Sequence, residues 1–364
     1  MQTDVYLCFV DYEKAFDRVK HQQLLTTLCK LNLDGKDIKI IRNLYENQVA
    51  TVRIDDEETE EIEICRGVRQ GCIMSPLLFN IYSETVMSEA LEDLDAGIRV
   101  NGTVINNLRY ADDTVFVASS ESELQVLIDT VNDISERAGL SINTSKTKFM
   151  IVSRKPDLNP NVLVSGKPLE RVRQYKYLGA WVNEAWESDQ EIKTRIEFAR
   201  TSFNNMRKVL CCRQLNIKLR VRLLLCYIWP IVTYGCETWT LKDASIKRLQ
   251  AFEMWCYRRM LRISWTQRIK NETVLRRVHM PRKLMPIIKK RKIEYLGHVL
   301  RHDRYGLLQL IMMGKVEGKR PAGRRRKSWL RNIREWTGIA SVERLFQLAM
   351  DREEYKKLTA NLQE

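Results

Sequence analysis

No stretch of this 364-residue chain comes near the roughly 18 uncharged apolar residues that a membrane helix needs. Asp4 and Asp11 bracket the short apolar run nearest the N-terminus, which is not the pattern of a secretory leader. The expectation is a folded protein without a membrane partner that stays inside the cell, in the nucleus, the cytoplasm or both. Close CxxC pairs are missing too. The nine cysteines, at 8, 29, 65, 72, 211, 212, 226, 236 and 256, are odd in number and scattered. That spacing argues against a zinc ribbon or a disulfide framework and points to reduced thiols. Histidine is scarce, four in all. His298 and His302 lie four apart, but no Cys or carboxylate pair stands at ligand spacing beside them, so they are not read as a zinc site. Internal repeats are absent.

What is present is charge, separated along the chain. Residues 1–180 carry 21 Lys and Arg against 28 Asp and Glu, a net of −7, whereas the remaining residues carry 40 against 18, a net of +22. A half this basic is built for a polyanion, and nucleic acid fits because neutralised phosphates release condensed counterions. The stretch 315–334 holds nine of those cations against one Glu. Within it Arg324, Arg325, Arg326 and Lys327 run together with no acid among them, so phosphate contact is expected there, with nuclear import as a second use.

Periodicity gives a coarse map. Val5–Val10 reads as a strand ending in Asp11, and residues 12–31 as one helix. Residues 49–55 and 60–65 alternate around an acidic turn and read as a solvated hairpin. Ser75 is a candidate cap and Pro76 a first-turn residue for a helix over 77–94. Asn101-Gly102 favours a type I′ turn between two strands, and Ala111-Asp112-Asp113 forms the next turn. Residues 121–138 read as a helix with Gly139 just past its end, followed by the strand 148–152. After a further hairpin over 162–182 the chain is helical, with breaks expected near Asn216, Pro230, Pro281 and Pro286.

This map puts three carboxylates on two adjacent turns, Asp11 after one strand and Asp112 with Asp113 at a hairpin tip. Clustered carboxylates repel one another, so the arrangement makes sense with cations, and two Mg²⁺ ions (or Mn²⁺ in their place) suit phosphoryl transfer.

Neighbouring blocks then carry a resemblance. Phe9-Val10-Asp11-Tyr12-Glu13-Lys14-Ala15-Phe16-Asp17 resembles motif A of the reverse transcriptases. Gly67-Val68-Arg69-Gln70-Gly71 through Ser75-Pro76-Leu77-Leu78-Phe79 resembles motif B, and Tyr110-Ala111-Asp112-Asp113 motif C. Gly139-Leu140, Asn143 and Lys146-Thr147-Lys148 resemble motif D, and Tyr177-Leu178-Gly179 the primer-grip hairpin. The blocks occur in order over residues 5–182, and the RQG, SP and YADD details match the non-LTR (LINE-type) retrotransposon branch.

The resemblance implies an α+β right-hand palm, an antiparallel sheet with helices on one face, over 1–182. A helical thumb over 183–265 and a basic helical nucleic-acid-binding region over 266–364 would follow. It implies an RNA-directed DNA polymerase that takes an RNA template, a DNA primer and dNTPs. Asp11, Asp112 and Asp113 are then the metal-binding carboxylates, and Tyr12, Phe16, Arg69, Gln70 and Gly71 the nucleotide-binding residues, with Phe16 as the gate against a ribose 2′-hydroxyl. Lys146 would protonate the leaving pyrophosphate, with Lys148 the alternative. Trp229, Tyr234, Trp239, Trp255 and Tyr257 are read as core aromatics rather than base-stacking ones. Only ten residues precede Asp11, so the resemblance also implies truncated fingers. A non-enzymatic nucleic-acid-binding remnant is the alternative function.

Overall fold

The computed structural model describes residues 4–153, 160–314 and 327–361. These divide into two units, residues 4–178 and residues 179–314 with 327–361.

The first unit is built on a five-stranded sheet: β1 (Val5–Val10), β2 (Asn107–Tyr110), β3 (Asp113–Ala118), β4 (Lys148–Val152) and β5 (Glu170–Arg171), in the order β5-β4-β1-β3-β2. All neighbours are antiparallel except β4 and β5. The helices are α1 (His21–Lys30), α2 (Gly35–Tyr45), α3 (Ser75–Leu91) and α4 (Glu121–Arg137).

Strand alternation separates the two faces of the sheet. Tyr6, Cys8 and Val10 of β1, Phe116 and Ala118 of β3, and Phe149 and Ile151 of β4 share a core with Leu28, Leu78, Tyr82, Leu127 and Val131 of the helices. Leu7, Phe9, Val115, Val117 and Met150 point the other way, into a smaller cluster closed by Val172, Tyr175 and Tyr177. Among the described residues of this unit, one face is therefore sealed by helices and the other by a short, aromatic-bearing segment.

Local chemistry explains where the elements depart from the periodicity reading. The single helix expected over 12–31 is broken: Lys14 sits at φ 47, a 3₁₀ turn covers Ala15–Arg18, and α1 starts only at His21. The Gly67 and Val68 amides donate to the Val19 and Phe16 carbonyls at 2.8 and 2.9 Å, which fixes the turn. A Cβ on Gly67, at φ 96, would lie 3.0 Å from the Asp17 carbonyl oxygen, so this approach requires glycine. Helix α2, capped by Asp34 on the Lys36 amide, was not expected. Ser75 does not cap α3. It is the first helical residue, and its hydroxyl donates to the Arg69 carbonyl at 2.6 Å. The acidic hairpin is present as two short ladders, Val49–Ala50 with Ile62–Glu63 and Arg53–Ile54 with Glu57–Glu58. Asn101 and Gly102, both at positive φ, make the expected turn.

The second unit is helical apart from one strand, Ala180–Asn183. Its main core gathers Ile192, Phe203, Trp229, Phe252, Tyr257 and Ile288, and a smaller core joins the 284–301 helix to Ile333, Leu345 and Tyr355. Asn216 caps the Ile217–Leu223 helix. At Pro230 the chain does not break, because a π turn over Leu224–Ile228 passes straight into Trp229–Val232. Pro286 lies inside the first turn of Leu284–Arg301, where backbone N–H groups have no intrahelical partner and none is lost. Glu253 takes over that end, accepting from the Lys283 and Leu284 amides at 2.6 and 3.1 Å.

Candidate active site on the helix-free face

The register of the sheet assembles the site. Phe9 pairs with Val115 and Val10 with Thr114, so one further step sets Asp11 beside Asp113. On the other flank Val5 pairs with Val152 and Phe9 with Lys148, and two further residues along each chain bring Asp11 beside Lys146. By alternation Asp11 and Asp113 continue the Leu7–Phe9 and Val115–Val117 rows, on the face that carries no helix. Tyr110 and Asp113 close the hairpin, with Ala111 at φ 55 at its tip. An alanine in that region carries strain of the kind found at functional turns.

The electrostatics are those of negative charge left uncompensated by protein. The Asp113 carboxyl is pushed above its ordinary range first by burial, then by Asp112 and Asp11. The same field, added to their burial, raises the hydroxyls of Tyr175 and Tyr177. Asp11 Oδ2 is buried with no hydrogen-bond donor. Among the described residues its one ionic neighbour is the exposed Lys146 ammonium, at 3.6 Å. Lys148 is instead drawn to Glu170 at 2.7 Å, so of the two lysines the structure brings Lys146 to the carboxylates.

An orphaned carboxylate oxygen and a raised neighbouring carboxyl fit a divalent cation. Among the described residues no group of three His, Cys, Asp or Glu side chains is gathered closely enough to hold a metal ion by itself. Mg²⁺ suits such an open site, since it commonly binds one or two carboxylates and takes its other ligands from water and substrate phosphates.

The other expected residues fall on two sides. Phe16 is half-buried and stacked on Phe79, ring centroids 4.3 Å apart, so its ring is held in place. Gln70 Nε2 donates to Asp17 Oδ1 at 3.2 Å, which ties the loop of motif B to the turn of motif A. Arg69 and Gly71 are exposed on that loop, and Gly71 has φ 84 with open space around it. Tyr177 donates to the Asp113 carbonyl at 3.4 Å, and Leu178 and Gly179 both take positive φ. Tyr12 is a correction: it lies on the helix face, 7% exposed, with its hydroxyl on Ser135 at 3.0 Å, so its ring does not reach the carboxylates. Tyr175, which no motif flagged, stacks on Phe9 at 4.2 Å. Its signal was the two-residue spacing from Tyr177.

In the second unit Trp229, Trp239 and Tyr257 are buried as expected, while Tyr234 is half exposed and packs under the Arg195 guanidinium at 4.3 Å. The Arg195–Glu191 ion pair is itself buried, and it accepts the Trp181 amide and donates to the Gly179 carbonyl. Arg324, Arg325 and Arg326 lie outside the described residues. Lys327 corrects the expectation of a run without acidic partners: its ammonium meets Glu335 at 3.0 Å and Asp243 at 3.6 Å. The His298 and His302 rings lie 4.5 Å apart, tilted at 58°, and among the described residues no His, Cys, Asp or Glu group that could hold a metal surrounds them.

Comparison with known proteins agrees with this geometry. The model of the family "Reverse transcriptase (RNA-dependent DNA polymerase)" matches residues 1–182. A transposon-derived protein of Caenorhabditis elegans is 30% identical over 247 residues, 65% of this chain and 87% of that protein. The Pol polyprotein of the type-2 retrotransposable element R2DM of Drosophila melanogaster is 30% identical over 185 residues, 48% of this chain and 17% of the polyprotein. The RNA-directed DNA polymerase of the mobile element jockey of Drosophila funebris is 22% identical over 72% of this chain and 29% of its own length. The chain thus spans under a third of either polymerase. A telomerase of Candida tropicalis, solved with a fragment of telomeric RNA, overlaps 82% of this chain and 47% of its own at 14% identity and a TM-score of 0.40, too low for any argument to rest on it. With Asp11, Asp113 and Lys146 brought together at adjoining strand ends and the family matched across half its length, the chain belongs to the reverse transcriptases, in the branch of the non-LTR retrotransposons.

Proposed function

We propose that this chain is an RNA-directed DNA polymerase, extending a DNA primer on an RNA template from dNTPs. The observation that carries the reading is the convergence of Asp11, Asp113 and Lys146 on the helix-free sheet face, with an uncompensated carboxylate oxygen at its centre. Asp11, Asp112 and Asp113 would hold two Mg²⁺ ions, for which Mn²⁺ could substitute. Bound there, the metals activate the primer 3′-hydroxyl and stabilise the leaving pyrophosphate.

The chain's own groups do the rest. Phe16, braced by Phe79, presents a ring edge that a ribose 2′-hydroxyl would meet. The exposed Arg69-Gln70-Gly71 loop offers a guanidinium and bare backbone to the incoming triphosphate. Lys146, beside Asp11, would hand a proton to pyrophosphate as it departs. Tyr177 and the Leu178-Gly179 turn would form the primer grip, and the second unit with Arg324, Arg325 and Arg326 would hold the nucleic-acid backbone, Lys327 being engaged by Asp243 and Glu335. Among the described residues no helix is long and apolar enough to cross a membrane.

The test is extension of a DNA primer on an RNA template by the purified chain with Mg²⁺. Extension with dNTPs is expected, and a Phe16→Val variant should gain incorporation of ribonucleotides. Salt-sensitive RNA binding with no extension would instead make the chain a binding remnant of a retrotransposon polymerase.

A further inference from the structure

The β1–β4 ladder stops at Phe9↔Lys148, two residues short of Asp11. Beyond it the backbone of Asp11 is held by one loop. Its amide donates to the Thr147 hydroxyl oxygen at 3.2 Å, and its carbonyl accepts from the Asn143 amide at 2.8 Å. The loop is itself rigid: the Thr147 amide donates to the Asn143 carbonyl at 2.8 Å, and Asn143 Oδ1 collects the Ser145 amide and hydroxyl at 3.1 and 2.6 Å. Thr147 is fully buried, so its hydroxyl has no solvent role. The residue before it, Lys146, carries the ammonium that meets Asp11.

We propose that Thr147 is a positioning residue for Asp11, setting by its side-chain oxygen where the first metal-binding carboxylate sits and keeping Lys146 in reach of it. This rests on the polymerase reading above. A catalytic carboxylate must be held within about 0.5 Å of its working place. An ordinary ladder bond would serve the strand alone, whereas a hydroxyl acceptor ties Asp11 to the loop that bears Lys146. Replacing the hydroxyl by a methyl removes this acceptor from the part-buried Asp11 amide, and the carboxylate moves with its backbone.

The experiment is Mn²⁺ binding to the intact chain in the presence of a dNTP, read by electron paramagnetic resonance and paired with thermal melting. Wild type, Thr147→Ser, Thr147→Cys and Thr147→Val are compared. Ser should bind as wild type does, and Val about 10- to 100-fold more weakly, the usual cost of losing a group that orients a metal ligand. Cys, a poor acceptor close to Ser in size, should fall between them. If Val does not fold, the Ser and Cys pair decides: a weaker Cys variant supports the proposal and equal binding overturns it. Equal binding by all four proteins overturns the role of Thr147 alone. A wild type that binds no Mn²⁺ overturns the metal reading on which it rests.

Discussion

The two units deal with charge in opposite ways. The first leaves like charges side by side: Asp11, Asp112 and Asp113 stand at adjoining strand ends with one exposed lysine for company. The second sets single buried charges among counter-charges or backbone dipoles. Glu191 is clasped by Arg195, Glu253 caps a helix start, Lys292 donates to the Trp239 carbonyl beneath the Trp329 ring, and Lys327 sits between Asp243 and Glu335. Glu253 Oε2 is the exception, buried with no donor and with its carboxyl raised by burial, so what sets the first unit apart is several acids on adjoining strand ends rather than one orphaned oxygen. Under the proposed function, the acidic unit would carry the phosphoryl transfer and the basic unit the grip on the polymer.

The largest effect expected from disturbing that contrast is in the second unit. Arg195→Met strands a Glu191 that is only 3% exposed, and should cost about 3–5 kcal/mol in urea unfolding. The double change Glu191→Leu with Arg195→Met should recover much of that loss, and equal losses in both proteins would show that the pair is not the cause.

Next is Lys292, whose burial pushes its ammonium down to about 7. Its folded pKa lies below the unfolded one, so the unfolded chain binds the proton first as pH falls. Wild-type stability should therefore drop between pH 10 and pH 7 relative to Lys292→Met, by up to about 4 kcal/mol at ~1.4 kcal/mol per unit, and then level off. A constant difference across that window would remove the assignment.

Replacing Arg324, Arg325 and Arg326 together by Ala should lower the slope of log affinity for RNA against log salt by roughly one for each phosphate that is no longer neutralised, leaving the fold unchanged. The smallest effect is at the acidic tip. Asp113 has a raised folded pKa, so its charge destabilises the metal-free protein increasingly as pH rises through that value. Asp113→Asn should raise the metal-free melting temperature at pH 7 and lose the advantage in acid.

Much of the site was legible in the sequence because a strand repeats every two residues. That period puts Asp11 in the Leu7–Phe9 row and Asp113 in the Val115–Val117 row. The same alternation assigns Tyr12 to the core with Tyr6 and Cys8, and the motif match alone pointed the other way. Choosing Lys146 over Lys148 needed the register of β4 against β1 and the position of Glu170, both long-range facts. The break at Lys14 and the late start of α1 depend on backbone bonds from Gly67 and Val68, some fifty residues on. Glu191 and Arg195 show as an i, i+4 pair in any helix, but their burial is decided by what packs above them.

The measurement closest to the central claim sets wild type beside the Asp112→Ala, Asp113→Ala double variant, scoring primer extension and RNA affinity on the same preparations. The account predicts extension reduced by roughly 10³-fold or more, the scale of several kcal/mol of charge stabilisation, with RNA affinity retained. Extension that survives the double change, or RNA binding that disappears with it, would contradict the division of chemistry and grip between the two units.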